Sequence, residues 1–435
     1  MRFILSNTKL FFIFLFLSVS SCSDKDVKPF VGQKIDIYIS SKSEASKDFN
    51  IKIDSVTRNN YWLQKGGLDT HSIPNLNLKF PLKIIFSKNT DQEISDEYFS
   101  LANPVVDKKN IYLLSTNGKV TSIDKKHFRI NWVKQIFSKQ INFPNLGSIV
   151  VELNGDDLYL HNGGSLIYAL NKKNGKVKWK FKNKFPFRGN ISIKNDYLLV
   201  NDYNNNLLSF SEKKLIWKKN LGQSENVIFT NIRPIIYDNK IINPAFNGLF
   251  HILSITDGKL IFSDYLQPNK KMAKIYRNND IIANPIISDK KMYIISHSGT
   301  LASYDLNNLK LLWSVQIGGG NTPILSGNSM FLIDNNNILY AINANNGKIK
   351  WRKQFNLNIE EGFYFKEIKK INFKGPFLID NKLMLFSSNG YLNLLDPLSG
   401  KLLESLDFDL LGAEPIFVEN KLIILTSDGD LKVYK

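Results

Sequence analysis

The stretch "IYALNKKNGKVKW" (residues 167–179) returns as "LYAINANNGKIKW" (residues 339–351), with glycine, lysine and tryptophan at the same spacing. A recurring phrase constrains a fold more than local propensity does, because each copy must bury its apolar face against its neighbours. Weaker copies read "VTSIDKKHFRINW" (120–132), "LLSFSEKKLIW" (207–217), "FHILSITDGKLIF" (250–262), "LASYDLNNLKLLW" (301–313) and "LNLLDPLSGKLLE" (392–404). A truncated eighth, "LKVYK", closes the chain at 431–435.

Each phrase reads as strand, turn, strand. Period-two alternation in "VKWKF" and "IKWRKQF", around Asn-Gly, Asp-Gly or Ser-Gly, predicts a β-hairpin. A second pair of strand-like runs precedes each phrase, as in "PILSGN" and "SMFLIDNNN", so the unit has four strands. Anchor positions Trp132, Trp179, Trp217, Phe262, Trp313, Trp351 and Leu403 lie 38 to 52 residues apart. That spacing matches a propeller blade of roughly 40–50 residues. Five of the six tryptophans occupy this one place, where a large ring fills the wedge between blades. The eighth unit lacks an outer strand, and "FPLKIIFSK" (80–88) supplies it, leaving no open sheet edge. The expected fold is therefore all-β: an eight-bladed β-propeller of four-stranded antiparallel blades over residues 78–435, with both chain ends in one blade.

Ahead of the propeller, Arg2 and Lys9 flank the apolar run Leu10 to Val19, which is too short to span a bilayer and reads as a signal peptide over 1–21. "VSSC" follows, and it resembles the lipobox of bacterial lipoproteins, cut before Cys22. Cys22 is the only cysteine, so it forms no internal disulfide, and lipidation gives its thiol a use. Multiple acyl chains suffice for stable anchoring. Ser23 is the permissive residue of the lipoprotein sorting pattern, which implies the periplasmic face of the outer membrane. Residues 22–77 read as a lipidated tether and N-terminal segment, with one strand at "KIDIYI". The formal net charge of +18 is spread over lysines along the chain, with no nucleic-acid motif beside it, so no nucleic-acid partner is expected.

Other chemical signals are sparse. The five histidines (71, 127, 161, 251, 297) lack metal-ligand spacing and read as solvent or turn positions; no metal and no catalytic residue is assigned. "DYNNN" (202–206) and "DNNN" (334–337) superficially resemble calcium loops but lack the glycine and distal glutamate; they read as turns between second and third strands. "GGGN" (318–321) is followed by no helical pattern, which argues against phosphate binding. In "KVKWKFKNKFPFRGN" (176–190), five lysines alternate with Val177, Trp179 and Phe181, placing the lysines on one strand face. "FPFRG" then connects to the next blade. Its rings either plug the blade interface or present a binding hot spot.

The "GKxxW" units resemble the pyrroloquinoline-quinone-type propeller repeat. The whole layout of lipobox, tether, "YWLQKGGLDTHSIPNL" (61–76) and lean blades resembles the BamB family of outer-membrane assembly lipoproteins. The resemblance implies a non-catalytic scaffold with no cofactor. It implies docking to a POTRA domain of a BamA-like barrel subunit, with unfolded outer-membrane precursors as further ligands. It places the contact at Phe185, Phe187, Arg188 and Gly189, and in the next inter-blade loop, where "FTNIRP" puts Asn231 at a position expected to be acidic and adds the positive charge of Arg233. The alternative is a periplasmic quinone-dependent or sugar-binding oxidoreductase of the same fold. That enzyme needs calcium ligands, a catalytic aspartate and usually a disulfide between neighbouring cysteines.

Overall fold

The repeated phrase folds as it does because its tryptophan and its glycine belong to different packing partners. In the unit 324–354 the strands are Ile324–Ser326, Ser329–Ile333, Ile338–Asn343 and Ile349–Gln354, hydrogen-bonded antiparallel in chain order. The first three strands are almost wholly buried, and the fourth is half-buried or exposed. Eight such four-stranded sheets are present: I (105–135), II (150–182), III (187–220), IV (235–265), V (286–315), VI (324–354), VII (373–407) and VIII (416–434 with 84–89). First strands touch between blades I and II, II and III, III and IV, and VI and VII, and apolar clusters fill gaps between blades. The computed structural model describes residues 49–67, 69–90, 101–137, 149–222, 232–268, 279–355 and 371–435, together with a small strand pair at 360–361 and 366–367. The signal peptide, Cys22 and "KIDIYI" lie outside the described residues.

The expected closure is present. Ile84–Asn89 pairs antiparallel with Asp430–Tyr434 in blade VIII, and Lys83 and Lys435 exchange backbone hydrogen bonds of 3.0 and 2.9 Å beyond it. Both chain ends thus satisfy each other's main chain, and the ring has no open edge there.

Neighbouring blades meet at the repeated phrase. Trp313 of blade V donates its indole N–H to the Ala344 carbonyl of blade VI at 3.0 Å. Its ring lies against Gly347 so closely that a Cβ there would fall 2.7 Å from it. Gly347 also has φ +73°, a conformation that favours glycine. The same pairing joins Trp132 to the Lys172 carbonyl and Gly175, Trp217 to Ile255 and Gly258, and Trp351 to Pro397 and Gly400. An aromatic ring thereby buries its face while its one donor stays satisfied.

The turn carrying this glycine differs from a two-residue hairpin loop. It spans five residues, 344–348, and closes through Gly347 N–H to the Asn343 carbonyl at 2.9 Å. The Asn343 side chain accepts the Asn345 N–H at 2.8 Å, an Asx turn that starts the reversal. The extra length carries glycine over the neighbouring indole.

Some junctions depart from the pattern. Phe86 stacks on Phe128 at 4.4 Å between blades VIII and I, and Phe262 packs with Tyr304 and Leu309 between IV and V. In blade VII the anchor register belongs to Glu404, paired with Leu394, so Leu403 is no anchor and is 51% exposed. A bulge between third and fourth strands occurs in each of blades I to VII. It turns aliphatics such as Val177, Leu215 and Leu260 outward and disrupts the regular edge against stray strand pairing.

Gly347→Ala should therefore cost more than left-handed backbone strain alone. Gly155, at φ +57° with nothing within 4 Å of a Cβ, isolates that strain. Denaturant unfolding should give about 1–2 kcal/mol for Gly155→Ala and about 3–4 kcal/mol for Gly347→Ala, the excess being the clash with Trp313.

Candidate functional site

Residues 49–80 belong to the same compact unit as the blades and form a strap over the first strands. Lys52 N–H donates to Asn328 Oδ1 of blade VI (2.8 Å), Leu76 N–H to the Leu378 carbonyl of VII (3.1 Å), and Glu419 N–H of VIII to the Asn59 carbonyl (2.8 Å). Trp62 exchanges two backbone bonds with Val106 of blade I, Leu153 N–H of II donates to Leu63, and Ile287 N–H of V donates to Thr70. The Trp-x-x-x-Gly-Gly-x-x-x-His pattern now has a physical reason. Gly67 lies under the Trp62 ring and Gly66 under the His71 ring, where a Cβ on either glycine would come within 3.1 Å of the ring.

Polar and ionisable groups hold this strap in place. Arg233 donates its Nε–H to His71 Nε2 and an Nη1–H to Gln64 Oε1. His71 Nδ1 donates to the Pro285 carbonyl at 2.8 Å, which fixes a neutral tautomer; burial, with Arg233 beside it, holds its pKa well below the ordinary value. Lys65 N–H donates to Glu152 Oε2 at 3.1 Å, and burial pushes that carboxyl up to about 8 despite Arg233 and Lys65 nearby. Two expectations are corrected here. Arg233 is buried against the strap rather than adding charge to a surface loop, and His71, His161 and His251 are buried rather than solvent-facing. A sequence reading misses such groups because ionisable side chains are seldom buried without partners, and the partners are distant in the chain.

Between strap and blades V to VII lies a cavity of about 230 Å³. Lys65 and Glu414 pair across it at 3.2 Å. Lys374 donates to the Leu411 and Ala413 carbonyls at 2.8 and 3.3 Å, and burial lowers its pKa to about 8. Among the described residues Glu414 is the one carboxylate lining this space, and no group of three His, Cys, Asp or Glu converges. The other side-chain oxygens at its wall are the neutral ones of Asn284, Asn321 and Thr322, so a calcium-bound quinone would find a single carboxylate there. The Gly318–Gly320 run serves close packing: a Cβ at Gly318 would meet Gly299 N at 2.4 Å. Asp202 and Asp334 sit at second-to-third strand turns, and their carboxylates accept N–H groups of their own loops.

The "FPFRG" connection enters blade III. Phe187 is fully buried, bonded through N–H to the Gly164 carbonyl at 3.0 Å, with its ring 5.8 Å from His161. It plugs the interface of blades II and III and has no face for a partner. Phe185 is half-buried, with the ammonium groups of Lys184 and Lys218 at 5.4 and 5.7 Å from its ring centre. Arg188 is partly buried, which depresses its pKa, and lines a small cleft with Gly189, Phe246 and Asp280. His161 donates Nε2–H to the Gly189 carbonyl at 3.0 Å and accepts Gly163 N–H at Nδ1; burial lowers its pKa to about 4. Asn190 N–H bonds to Ile232 at 3.1 Å, so the two loops expected to act together are adjacent. Asn231 itself lies outside the described residues.

The sequence profile of the family described as "Outer membrane protein assembly factor BamB" matches residues 132–353, half of the chain. The protein of that name from Moranella endobia (strain PCIT) is 23% identical over 344 residues, covering 77% of this chain and 85% of its own. The crystal structure of BamB from Moraxella catarrhalis superposes with a TM-score of 0.64 at 14% identity, covering 82% of this chain and all of that one. A europium-containing methanol dehydrogenase superposes at 0.66 with 11% identity, over 84% and 89% of the two chains. Likeness at such identities shows the propeller fold alone.

The Glu152 carboxyl makes a pH prediction with a definite sign. Its folded pKa of about 8 lies above its ordinary 4.5, so the folded state keeps a proton that the unfolded chain loses between those values. Its contribution to stability therefore falls as pH rises through that window. Unfolding free energies at pH 5, 6, 7 and 8 should show this decline in the wild type, and Glu152→Gln should remove it.

Proposed function

Because the chain belongs to the BamB family of outer membrane protein assembly factors, we propose that it is a non-catalytic scaffold holding a BamA-like barrel subunit at the periplasmic face of the outer membrane. Cys22 carries the lipid anchor, and the POTRA domain of the barrel subunit docks at the connection between blades II and III. Unfolded outer-membrane precursors are further ligands. The observation that carries this reading is the built-in rigidity of that connection. Phe187 and His161 fix its backbone from beneath, while Phe185 and Arg188 keep partial exposure beside it. A pre-ordered loop loses little conformational freedom on docking. In the cavity between strap and blades, the two lysines and the single carboxylate are engaged with carbonyls or each other, which favours the scaffold reading over the oxidoreductase.

Phe185 and Arg188 are thus the contact residues of this proposal, and Phe187 is their support. Phe185→Ala with Arg188→Ala should leave the unfolding midpoint within a few degrees and abolish co-purification with the barrel subunit from detergent-solubilised membranes. Phe187→Ala should instead lower stability by about 3–5 kcal/mol, as expected for an emptied aromatic core site. In the same preparations Cys22→Ala should move the protein from the membrane to the soluble periplasmic fraction. Undiminished co-purification of the double variant would move the docking site elsewhere on the ring.

A further inference from the structure

The junction between blades II and III is left open. At four junctions the anchor tryptophan is covered by the five-residue turn of the next blade, with its indole N–H bonded to a turn carbonyl and a glycine on its face. Trp179 of blade II has no such cover. Blade III is short at this place: six positions separate Ser211 from Trp217, where eight separate Asn343 from Trp351. Its chain reverses through Glu212 and Lys213 alone, at φ 49° and 65°. The missing turn leaves a cleft of about 460 Å³, with Trp179, Tyr159 and Phe210 among its lining residues. Trp179 Nε1 has no hydrogen-bond partner among the described residues, although the other four anchor indoles each have one.

The rim of the cleft is acidic. Asp157 is paired with Lys178 and Lys213, and Asp156 with Lys172 and Lys173. Asp196 and Glu212 are exposed and carry no ion pair among the described residues. In each of the four covered junctions the seated glycine is followed by lysine: Lys176, Lys259, Lys348 and Lys401. The shape, the free donor and the spare carboxylates therefore match one kind of occupant, of which the molecule already displays four examples.

We propose that the cleft over Trp179 is a docking site for a partner protein's exposed turn, in which a glycine is followed by lysine or arginine. The turn's main-chain carbonyl accepts the Trp179 indole N–H, its glycine lies on the ring, and its basic side chain faces Asp196 and Glu212. The chain itself offers no candidate. Its five Gly-Lys pairs, at Gly118, Gly175, Gly258, Gly347 and Gly400, all pack against their own protein. The glycines beyond the described residues, Gly32, Gly147 and Gly362, precede Gln33, Ser148 and Phe363. The site is separate from the "FPFRG" connection: the 212–213 turn and that connection join opposite ends of the strands of their blades.

The test uses full-length mature protein labelled with 5-fluorotryptophan, whose Trp179 resonance is assigned by loss in Trp179→Phe. The probe is a head-to-tail cyclised peptide copying residues 338–351. Saturable displacement of the Trp179 resonance alone is expected. Affinity should fall at least tenfold when the peptide's glycine is alanine, and again when Asp196→Asn and Glu212→Gln are combined. Grafting residues 344–348 in place of Glu212 and Lys213 should shift the Trp179 resonance permanently and abolish binding, while raising the unfolding midpoint. In cells, a photo-crosslinker at position 196 should join a second polypeptide at a glycine-basic turn. A peptide that leaves Trp179 unmoved, equal binding of the alanine peptide, or crosslinks confined to this chain would each overturn the proposal.

Discussion

The interaction on which the ring depends is an indole lying on a glycine in the neighbouring blade. A four-stranded sheet cannot bury both faces by itself, and twisted sheets arranged radially diverge toward the outside. Something large must fill that wedge without leaving a donor unpaired. Tryptophan does so because its ring covers the area and its single N–H reaches a carbonyl of the next turn, as Trp313 reaches Ala344. Glycine is required opposite because the turn backbone both approaches the ring and passes through the left-handed region. The copy at 339–351 supplies half of two such contacts, Gly347 with the blade before it and Trp351 with the blade after it.

The strap adds a second kind of constraint. Residues from opposite sides of the ring, Glu152 of blade II, Arg233 ahead of blade IV, Pro285 ahead of blade V and Glu414 ahead of blade VIII, converge on Gln64, Lys65 and His71. Buried polar and ionisable groups of this sort give little net stability compared with apolar packing, but each is costly to leave unpaired. Such a network disfavours any other register of the strap. The first strands are thereby tied across the axis as well as around the circumference, and the inter-blade loops are presented from a platform with little freedom. That rigidity suits a protein whose work lies in what its rim holds.

Much of this was legible in the sequence, and the rest was hidden for physical reasons. Blade number, closure by 84–89 and the anchor positions follow from periodicity and spacing, which survive the weak conservation of the repeat. Leu403 was misplaced by one position because its unit has no aromatic to mark the register. The hairpin is legible from its Asn-Gly, but its five-residue turn is not, because that length is set by a ring on another blade. Phe187 could not be distinguished from Phe185 as the inward ring, since aromatic-Pro-aromatic spacing carries no direction. Arg233 and His71 looked superficial because their partners are up to 214 residues away. The gap over Trp179 is different: it is written in "LLSFSEKKLIW", two residues shorter than its sister phrases, once the role of those residues is known.

The most direct measurement is a double-mutant cycle on Trp313 and Gly347, read by equilibrium unfolding. If the ring on the glycine joins the blades, the cost of Gly347→Ala should shrink by about 1–3 kcal/mol when Trp313 is already alanine, because the clash it causes is then gone. Costs that simply add would mean that the glycine answers only to its own backbone, and the account of how the blades are held together would fail.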